Sequence, residues 1–519
     1  MQTPREPHLQ PAIDPSVRVS APPASVWLGD TAILCYIALA TVVLHLLIGN
    51  RYGIHRDELA TLEDARHLAW GYPAYPPVTP FFGRISLELF GTSIRGFRFF
   101  AAVAQAIAVL LTGLMAREMG ARRGAQLIAV VAAVPFCLGG GYEMQYVAFD
   151  CLAWVLAAYF VVRLLTSGDA RWWLAIGASL GFGMLSKYTI GFFALAIVAG
   201  VVLTDARRFL KSKWLWIGVA ISILIWLPNL LWQIQHQFVS LDFLHHIHAR
   251  DVRQGRTTYF LPQQLELTGL RFPLALAGIY FCLIARDGKR FRMIGWMYVV
   301  TLALFTLARG RWYYMGPAYP MLYASGAVWG ERWLTTMQRG KAMIIRWAAW
   351  AALGFEILFT SAFWLPTAPL KSHWWAISNK VQGDFREQIG WRELVEEVAR
   401  IRDSLTPEER AQLGVIGTNY GEAGAINLYG PEYGLPRAIS GVNSFWYRGY
   451  GDPAPKTLIV IGLDRDFMDE HFQSCRLAGH TWNRYGIANE ETEDHPDIFV
   501  CGPPKAGWPE FWKDFRYYG

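Results

Sequence analysis

The chain has few charged residues for its length. Asp, Glu, Lys and Arg make up 17% of its 519 residues, whereas they make up roughly 25% of an ordinary soluble protein. Apolar residues make up 53% and are gathered in long runs. This composition argues against a soluble domain and is typical of a polytopic α-helical membrane protein. The net charge of +7 therefore indicates membrane topology, and we expect no nucleic-acid partner.

The sequence also lacks the motifs of several common classes of enzyme. It contains no Gly-rich phosphate loop, no dinucleotide fingerprint and no repeat of fixed period. Residues 1–30 are polar and Pro-rich without a cleavable signal, so we expect the first apolar run to stay as an anchor. Any transferase chemistry on the outer face would have to use a donor delivered by a lipid, because nucleotide sugars are not supplied there.

Cysteine is scarce, and none of the six cysteines has the spacing of a metal site. Four lie in apolar segments, where a thiol behaves as a small apolar group: Cys35, Cys137, Cys151 and Cys282. Cys475 and Cys501 lie in the polar C-terminal region. We expect a disulfide between them if that region is extracytoplasmic.

The apolar runs predict about eleven membrane spans. They cover 31–48, 99–115, 125–142, 147–165, 172–185, 190–203, 214–231, 270–285, 293–308, 313–329 and 342–365. Lys and Arg cluster in every second connection, for example at 117–123 and 286–292, and such connections are cytoplasmic. We therefore expect a cytoplasmic N-terminal tail (1–30), a transmembrane domain (31–368) and an extracytoplasmic α/β domain (369–519).

Two further regions stand outside the spans. The outer loop 50–98 contains two amphipathic stretches, 56–70 and 78–90, of a kind that can lie in the membrane interface. The C-terminal region shows a helix at 391–405 and short buried strands at 413–417 and 458–462.

Acidic side chains at the outer ends of helices are the main candidates for chemistry. Asp57 and Glu58 follow the first span, where carboxylates at a helix start are often solvated caps. Asp150 opens an otherwise apolar helix, and an ionisable residue at such a depth favours a functional role. Asp57 and Asp150 should emerge on the same face, where one could serve as general base and the other as its electrostatic or metal-binding companion.

Cations on the same face suit a lipid-borne phosphate, although headgroup anchoring would explain each one equally well. The candidates are Arg56, Arg84, Lys187, Arg309 and Arg311, together with Tyr313. Four histidines in the predicted outer loop 233–268 have no diagnostic metal spacing, and we expect them to be solvated: His236, His245, His246 and His248.

Several short motifs occur in a recognisable order. They are Arg56-Asp57-Glu58-Leu59, Pro76-Pro77, Ala148-Phe149-Asp150, Leu185-Ser186-Lys187-Tyr188, Tyr313-Tyr314, and, in the C-terminal region, 419–425 and 433–436. In this order the chain resembles the bacterial GT-C membrane glycosyltransferases of the family 39 type, related to protein O-mannosyltransferases and to the aminoarabinose transferases of lipid A.

The resemblance implies the GT-C architecture, a polyprenyl-phosphate-linked sugar as donor and inverting transfer to a hydroxyl of a protein, lipid or glycan. It places the catalytic acid at Asp57 and a second acidic position at Asp150. The chain departs from the family at Tyr75, where relatives often have an acidic, His or Lys residue before the Pro-Pro pair. The resemblance therefore leaves a divalent metal ion open.

Two other classes of protein fit the same composition. A lipid-linked-sugar flippase or transporter would also have many helices with intramembrane charges, but transporters commonly show paired halves, which we do not find. A membrane sensor with a ligand-binding outer domain would need fewer spans than the apolar runs predict.

Overall fold

The computed structural model describes residues 29–519. The predicted cytoplasmic tail (1–30) therefore lies outside the described residues, except for its last two. The first part of the chain is helical: α1 (Asp30–Ile48), α2 (Arg56–Arg66), α3 (Val78–Phe90), α4 (Ile94–Phe97), α5 (Phe99–Glu118), α6 (Arg123–Gly141), α7 (Tyr146–Ser167), α8 (Trp172–Met184), α9 (Ile190–Leu203), α10 (Lys213–Gln235), α11 (Val239–Arg253), α12 (Gln263–Thr268), α13 (Phe272–Leu283), α14 (Arg292–Leu307), α15 (Tyr319–Thr335), α16 (Arg339–Phe363) and α17 (His373–Val381).

The chain is a multi-pass membrane protein. Within residues 29–519, eight helices are long and apolar enough to cross a membrane, or nine if the bent pair at 190–211 forms one span. The span predicted at 172–185 is a helix of 13 residues, which reaches only about 20 Å against roughly 30 Å of hydrocarbon. The span predicted at 313–329 begins as a 3-10 turn, and its α-helix starts at Tyr319. The count of about eleven stays a prediction.

Small residues allow the membrane helices to approach one another closely. A Cβ atom added to Gly177 on α8 would lie 2.0 Å from the carbonyl oxygen of Gly218 on α10. Because there is no room for a side chain at this crossing, the two backbones pack directly against each other, as is common between helices in membranes.

The C-terminal part is an α/β fold. It contains α18 (Trp391–Asp403), α19 (Pro407–Ala411), α20 (Tyr420–Tyr429), α21 (Arg465–His471), α22 (Glu490–Glu493) and α23 (Trp508–Asp514), with β1 (Leu413–Gly417), β2 (Ala438–Ile439), β3 (Thr457–Ile461), β4 (Arg476–His480) and β5 (Asp497–Cys501). The strand order is β2-β1-β3-β5-β4. Strand β1 runs parallel to β2 and β3, and β5 runs antiparallel to β3 and β4.

The predictions for the C-terminal region are confirmed within one or two residues. The strand predicted at 413–417 is β1, and that predicted at 458–462 is β3, which begins one residue earlier. The helix predicted at 391–405 ends at Asp403. Alternating or continuous apolar runs bounded by turn residues are sufficient to locate short buried strands of this kind.

The two amphipathic stretches of the loop 50–98 are helices. The second has its predicted bounds, but the first, α2, ends at Arg66, four residues early. Instead of presenting one face to lipid, α2 is packed under the C-terminal part: a Cβ added to Gly424 on α20 would lie 2.7 Å from the Cβ of Leu59. The helix α2 therefore lies at the interface between the two parts of the chain.

The predicted disulfide between Cys475 and Cys501 is confirmed. Cys475 precedes β4 and Cys501 ends β5, so the bond joins two neighbouring strands of the sheet. The other four cysteines are free.

Thiol labelling would check this arrangement. We expect denatured, unreduced protein to incorporate a maleimide at four cysteines per chain and, after reduction, at all six, because only the disulfide protects its two sulfurs once the fold is lost. Mass spectrometry of the intact chain measures the count. Six labels before reduction would contradict the disulfide.

Candidate active site

Asp57 lies in the first turn of α2, and its neighbours hold the start of that helix. The Nδ1 atom of His55 accepts a hydrogen bond from the backbone N–H of Asp57 at 3.2 Å, and the backbone N–H of His55 donates to Oε2 of Glu58 at 3.0 Å. Acidic residues are favoured at this end of a helix by its dipole. The local sequence therefore places the Asp57 carboxylate in the first turn of α2, close to the end of the first span.

Two side chains from distant parts of the chain orient the Asp57 carboxylate. The hydroxyl of Tyr420, at the start of α20, donates to Oδ1 at 2.8 Å, and the amide of Gln145, just before α7, donates to Oδ2 at 3.3 Å. The first loop, the membrane bundle and the C-terminal part therefore meet at this one carboxylate.

Glu58 points away from Asp57 and is fully buried. Its Oε1 atom accepts from Nε of Arg98 at 2.8 Å and from the backbone N–H of Met144 at 2.8 Å, and its Oε2 atom also accepts from Arg98. Arg98 in turn donates to the carbonyl oxygens of Gly49 and Gly53. Glu58 was predicted as a catalytic residue, but the structure places it in a fixed ion pair that supports the loop.

A cavity of about 530 Å³ opens beside Asp57. Its floor is formed by the ends of membrane helices and their connections, and one side is formed by α11. The C-terminal part contributes Tyr420, Ser444 and Phe445. Of the predicted site residues, four line this cavity: Asp57, Lys187, Arg309 and Arg311. A volume of this size is typical of small-molecule and cofactor sites.

Lys187 is surrounded by aromatic rings rather than by hydrogen-bonded partners. Its Nζ atom lies 4.0 Å from the ring centre of Tyr314, 5.0 Å from that of Tyr146 and 5.8 Å from that of Tyr313. Cation–π contacts hold an ammonium group in place without neutralising its charge. Lys187 therefore presents a positioned positive charge to the cavity.

The two arginines of the connection after α14 differ in their surroundings. Arg311 donates from Nε and Nη2 to the two carboxylate oxygens of Asp251 on α11, at 2.6 and 2.8 Å, and from Nη1 to the hydroxyl of Tyr313 at 3.0 Å. Arg309 is exposed and lines the cavity, and its own backbone has a positive φ of 48°. Tyr313 is not among the residues that line the cavity, but its hydroxyl contacts Arg311, which is.

Arg56 and Arg84 are not brought to the cavity. Both terminal nitrogens of Arg56 donate to Glu490 of the C-terminal part, and its guanidinium stacks over Tyr420 at 5.1 Å. Arg84 is exposed on α3 and pairs with Glu88 one turn along the same helix. The structure therefore gives Arg56 an interdomain contact and Arg84 a surface ion pair.

Asp150 lies one layer behind the cavity wall. Its Oδ1 atom accepts from the indole N–H of Trp154 at 2.9 Å, and its Oδ2 atom accepts from the hydroxyl of Thr189 at 3.4 Å. Thr189 lines the cavity, and the negative charge of Asp150 attracts Lys187. Asp57 and Asp150 are thus on the same end of the bundle, but only Asp57 faces the cavity.

Four residues of the network around Asp57 were not predicted as site residues: Gln145, Glu143, His55 and Tyr420. Gln145 donates both to Asp57 and to Glu143, at 2.8 Å in the second case, and burial raises the pKa of Glu143 to about 7. Burial alone would lower the pKa of His55, but the carboxylates of Glu143 and Asp57 raise it above its ordinary value. Burial also raises the pKa of Tyr420, and the adjacent Asp57 raises it further. The polar run 142–146 between two apolar spans is the local signal for Glu143 and Gln145, and Tyr420 lies in the motif 419–425, but no local pattern links these residues to Asp57.

Tyr75, where the chain departs from the resembling family, helps to join the two parts of the chain. Its hydroxyl donates to Asp64 on α2 at 2.8 Å, and the hydroxyl of Ser444 donates to the same carboxylate at 2.6 Å. Arg448 also pairs with Asp64. Burial raises the pKa of Asp64, and the Arg448 guanidinium opposes that shift. A tyrosine at this position therefore closes the cavity wall.

The residues that the structure describes do not fit a metal site. Between Gly29 and Gly519, no group of three or more His, Cys, Asp and Glu side chains could hold a metal ion. The predicted loop 233–268 contains the helices α11 and α12, and His245, His246 and His248 are exposed on α11. His236 stacks on Trp232 at the end of α10, with ring centres 3.9 Å apart.

Comparison with known proteins defines the class of fold. Residues 74–232 match the family described as dolichyl-phosphate-mannose-protein mannosyltransferase. The structure of ArnT from Cupriavidus metallidurans bound to undecaprenyl phosphate superposes with a TM-score of 0.57 at 14% identity, covering 90% of this chain and 97% of that one. The chain has the GT-C fold. The fold class and the resemblance inferred from the sequence are confirmed.

Named relatives of similar sequence are glycosyltransferases. The lipopolysaccharide core galacturonosyltransferase RgtB of Rhizobium johnstonii is 28% identical over 207 residues, which are 38% of this chain and 41% of that protein. The undecaprenyl phosphate-alpha-4-amino-4-deoxy-L-arabinose arabinosyl transferase 1 of Pseudomonas fluorescens is 27% identical over 286 residues, half of each chain. The chain thus aligns with about half the length of the curated relatives it matches.

The pair formed by Glu58 and Arg98 can be tested by stability measurements. We expect Arg98→Met to lower the free energy of unfolding by about 3 to 5 kcal/mol, because it leaves the buried Glu58 carboxylate without its counter-charge. Thermal unfolding in detergent is the measurement. Arg84→Met, which removes the exposed Arg–Glu pair on α3, is the matched control and should change the free energy by less than ~1 kcal/mol. Equal effects of the two substitutions would contradict a supporting role for Glu58.

Proposed function

We propose that this protein is an inverting glycosyltransferase that moves a sugar from a polyprenyl-phosphate donor to a hydroxyl acceptor. The observation that carries the proposal is the cavity itself, which is lined both by the oriented carboxylate of Asp57 and by the cations Lys187, Arg309 and Arg311. Such a cavity can hold an acceptor hydroxyl beside the carboxylate and a phosphate beside the cations. The named relatives, all glycosyltransferases, support this reading over a transporter.

Asp57 acts as the general base in this proposal. Its carboxylate takes the proton of the acceptor hydroxyl while that oxygen forms a bond to the anomeric carbon of the donor sugar. The bond between the anomeric carbon and the phosphate oxygen breaks on the opposite face, and polyprenyl phosphate leaves. The hydrogen bonds from Tyr420 and Gln145 hold the carboxylate in one orientation, which favours a well-aligned proton transfer.

In this proposal the three cations of the cavity bind the phosphate of the donor: Lys187, Arg309 and Arg311. Lys187 provides a positive charge that is held against the Tyr314 ring and has no salt bridge to a carboxylate within the described part of the chain, and Arg309 is open to the cavity. Arg311 is held by Asp251 and stabilises the negative charge that develops on the leaving phosphate. Asp150 acts from behind the wall as an electrostatic companion that keeps Lys187 charged. ArnT, which shares the fold, was solved with undecaprenyl phosphate.

The reaction would take place on the outer face of a bacterial cytoplasmic membrane. Basic residues in alternate connections favour a cytoplasmic N-terminus and an extracytoplasmic, periplasmic C-terminal part. The disulfide between Cys475 and Cys501 supports this orientation, because such bonds persist in oxidising compartments. The acceptor, whether protein, lipid or glycan, would approach from the side that the C-terminal part covers.

The role of Asp57 is tested by sugar transfer in membranes, with a panel of radiolabelled polyprenyl-phosphate sugars. We expect Asp57→Asn to lower turnover by about 10² to 10⁴-fold, because the amide cannot accept the proton, while binding of polyprenyl phosphate is retained. Asp205→Asn, in a connection at the other end of the bundle, is the control and should transfer at the wild-type rate.

Two outcomes would count against the proposal in different ways. Undiminished turnover by Asp57→Asn would remove the proposed base and keep the enzyme. If the wild-type protein neither binds nor consumes any donor across the panel, the proposed transferase function would be wrong, and transport would be the better explanation.

Lys187 is expected to contribute to donor binding. We predict that Lys187→Met weakens binding of polyprenyl phosphate about tenfold, as expected for the loss of one charge-assisted contact. Binding to purified protein in detergent is measured by competition with a radiolabelled lipid phosphate. Arg84→Met, which removes a cation outside the cavity, should bind as wild type does. Similar losses in both variants would show that the effect is one of overall charge.

A further inference from the structure

A second cavity, of about 690 Å³, lies within the C-terminal part. It opens at the carboxyl ends of the neighbouring parallel strands β1 and β3, where Thr418 and Gly462 directly follow the last strand residues. It shares no lining residue with the cavity at Asp57. In open α/β sheets, the crevice outside the carboxyl ends of parallel strands is the usual place for a ligand. The proposed transfer reaction makes no use of it.

The lining of this cavity is strongly acidic. Carboxyl groups come from four separate elements: Glu422, Glu470, Glu490, Glu491, Glu510 and Asp514. The basic residues of the lining are Lys505, His471 and His495, and the Nζ atom of Lys505 donates to the carbonyl oxygen of Asp469 at 2.5 Å. A cavity with this balance of charge favours a positively charged ligand.

Glu491 differs from the carboxylates of an acidic surface because it is buried and one of its oxygens lacks a partner among the described residues. The residue is 4% exposed, and its Oε1 atom accepts from the amide of Asn419 at 3.4 Å. Its Oε2 atom has no hydrogen-bond partner among residues 29–519. Arg56 attracts it, but both terminal nitrogens of Arg56 donate to Glu490. Burial raises the pKa of Glu491 to about 8. A buried carboxyl oxygen without a partner is costly unless a ligand completes its hydrogen bonds.

The neighbouring Glu422 shows what a structural carboxylate looks like in the same cavity. It accepts from the backbone N–H groups of Thr418 and Asn419, at 2.8 and 3.1 Å, and thereby joins the end of β1 to the start of α20. Glu422 is therefore explained by the fold. The fold gives no such explanation for the Oε2 atom of Glu491.

The other wall of the cavity is aromatic. The rings of Phe467, Phe511 and Phe515 line it, and those of Phe511 and Phe515 stack with centres 4.7 Å apart. Aromatic faces attract cations and pack against apolar surfaces. The carboxyl groups are too dispersed to hold a metal ion, since no such group is found among residues 29–519. The combination suits an organic cation instead of an inorganic one.

We propose that this cavity binds a protonated primary amine carried on a small body with an apolar face. When the amine binds, Glu491 releases its proton to solvent and is held as a carboxylate, whose Oε2 atom accepts from the ammonium group. The ammonium lies within the field of Glu470 and Glu490, and the apolar face packs on the phenylalanine rings. Because the site is separate from the cavity at Asp57, the proposed amine binding does not depend on the proposed transferase reaction.

Isothermal titration of the full chain in detergent tests the proposal with two matched pairs of probes. Benzylamine is compared with benzyl alcohol, and glucosamine with N-acetylglucosamine, so that each pair differs in the charge of one group. We expect at least one amine to bind while its neutral counterpart does not. Which amine binds distinguishes a simple aryl ammonium from an amino sugar. Absence of binding by both amines, or equal binding by a neutral counterpart, would overturn the proposal.

Three variants assign the binding to this cavity. We expect Glu491→Gln to weaken amine binding about tenfold, as expected for the loss of one charge-assisted hydrogen bond. Glu470→Gln, at an exposed position of the rim, should also weaken it and cannot disturb the core. Glu88→Gln removes an exposed carboxylate on α3 and should bind as wild type does. Amine binding that is unchanged in both cavity variants would place the ligand elsewhere and overturn the assignment.

Discussion

The buried ion pair of Glu58 and Arg98 is the contact on which the geometry of the candidate site depends. A carboxylate without solvent exposure is tolerated only when its lone pairs and its charge are satisfied. Here Arg98 and the backbone N–H of Met144 satisfy them, and Arg98 also binds the carbonyl oxygens of the loop before α2. The first turn of α2 is therefore fixed relative to α5 and α7. Because Glu58 is held against the membrane bundle, the preceding residue on the helix, Asp57, faces the cavity.

The same helix carries a second set of charges that join it to the C-terminal part. Glu63 pairs with Arg437, and Asp64 with Arg448. With Glu58 facing the membrane bundle and these two facing the C-terminal part, α2 works as a connector with charged groups on both sides. Its apolar residues fill the remaining surface, which explains why an amphipathic stretch of the sequence does not become a helix lying in the lipid interface.

The sequence predicted much of the architecture because its signals are local. Apolar runs of sufficient length and strands bounded by turn residues gave the polytopic α-helical class and the C-terminal sheet. The order of the short motifs gave the resemblance that implies the GT-C architecture, and acidic residues at the outer ends of helices gave Asp57 as a candidate. The count of spans was less certain because a short helix such as α8 and a helix preceded by a 3-10 turn cannot be distinguished from full spans by hydropathy alone.

Contacts between distant residues were beyond such reasoning. Tyr420 lies 363 positions after Asp57, and no periodicity or spacing links the two. The same limit explains why Arg56 and Arg84 were grouped with Lys187: a cation near a membrane surface has the same local pattern whether it meets a phosphate, Glu490 or Glu88. Only the fold decides which carboxylate is within reach.

The contact between Asp57 and Tyr420 also orders events during synthesis. A ribosome makes Asp57 with the first helices and makes Tyr420 only after the membrane bundle is complete. Until the C-terminal part has been made and has docked on α2, the carboxylate lacks one of its two orienting hydrogen bonds and the cavity lacks a wall. A chain whose membrane helices are already inserted would thus have an incomplete cavity, and docking of the C-terminal part would complete it.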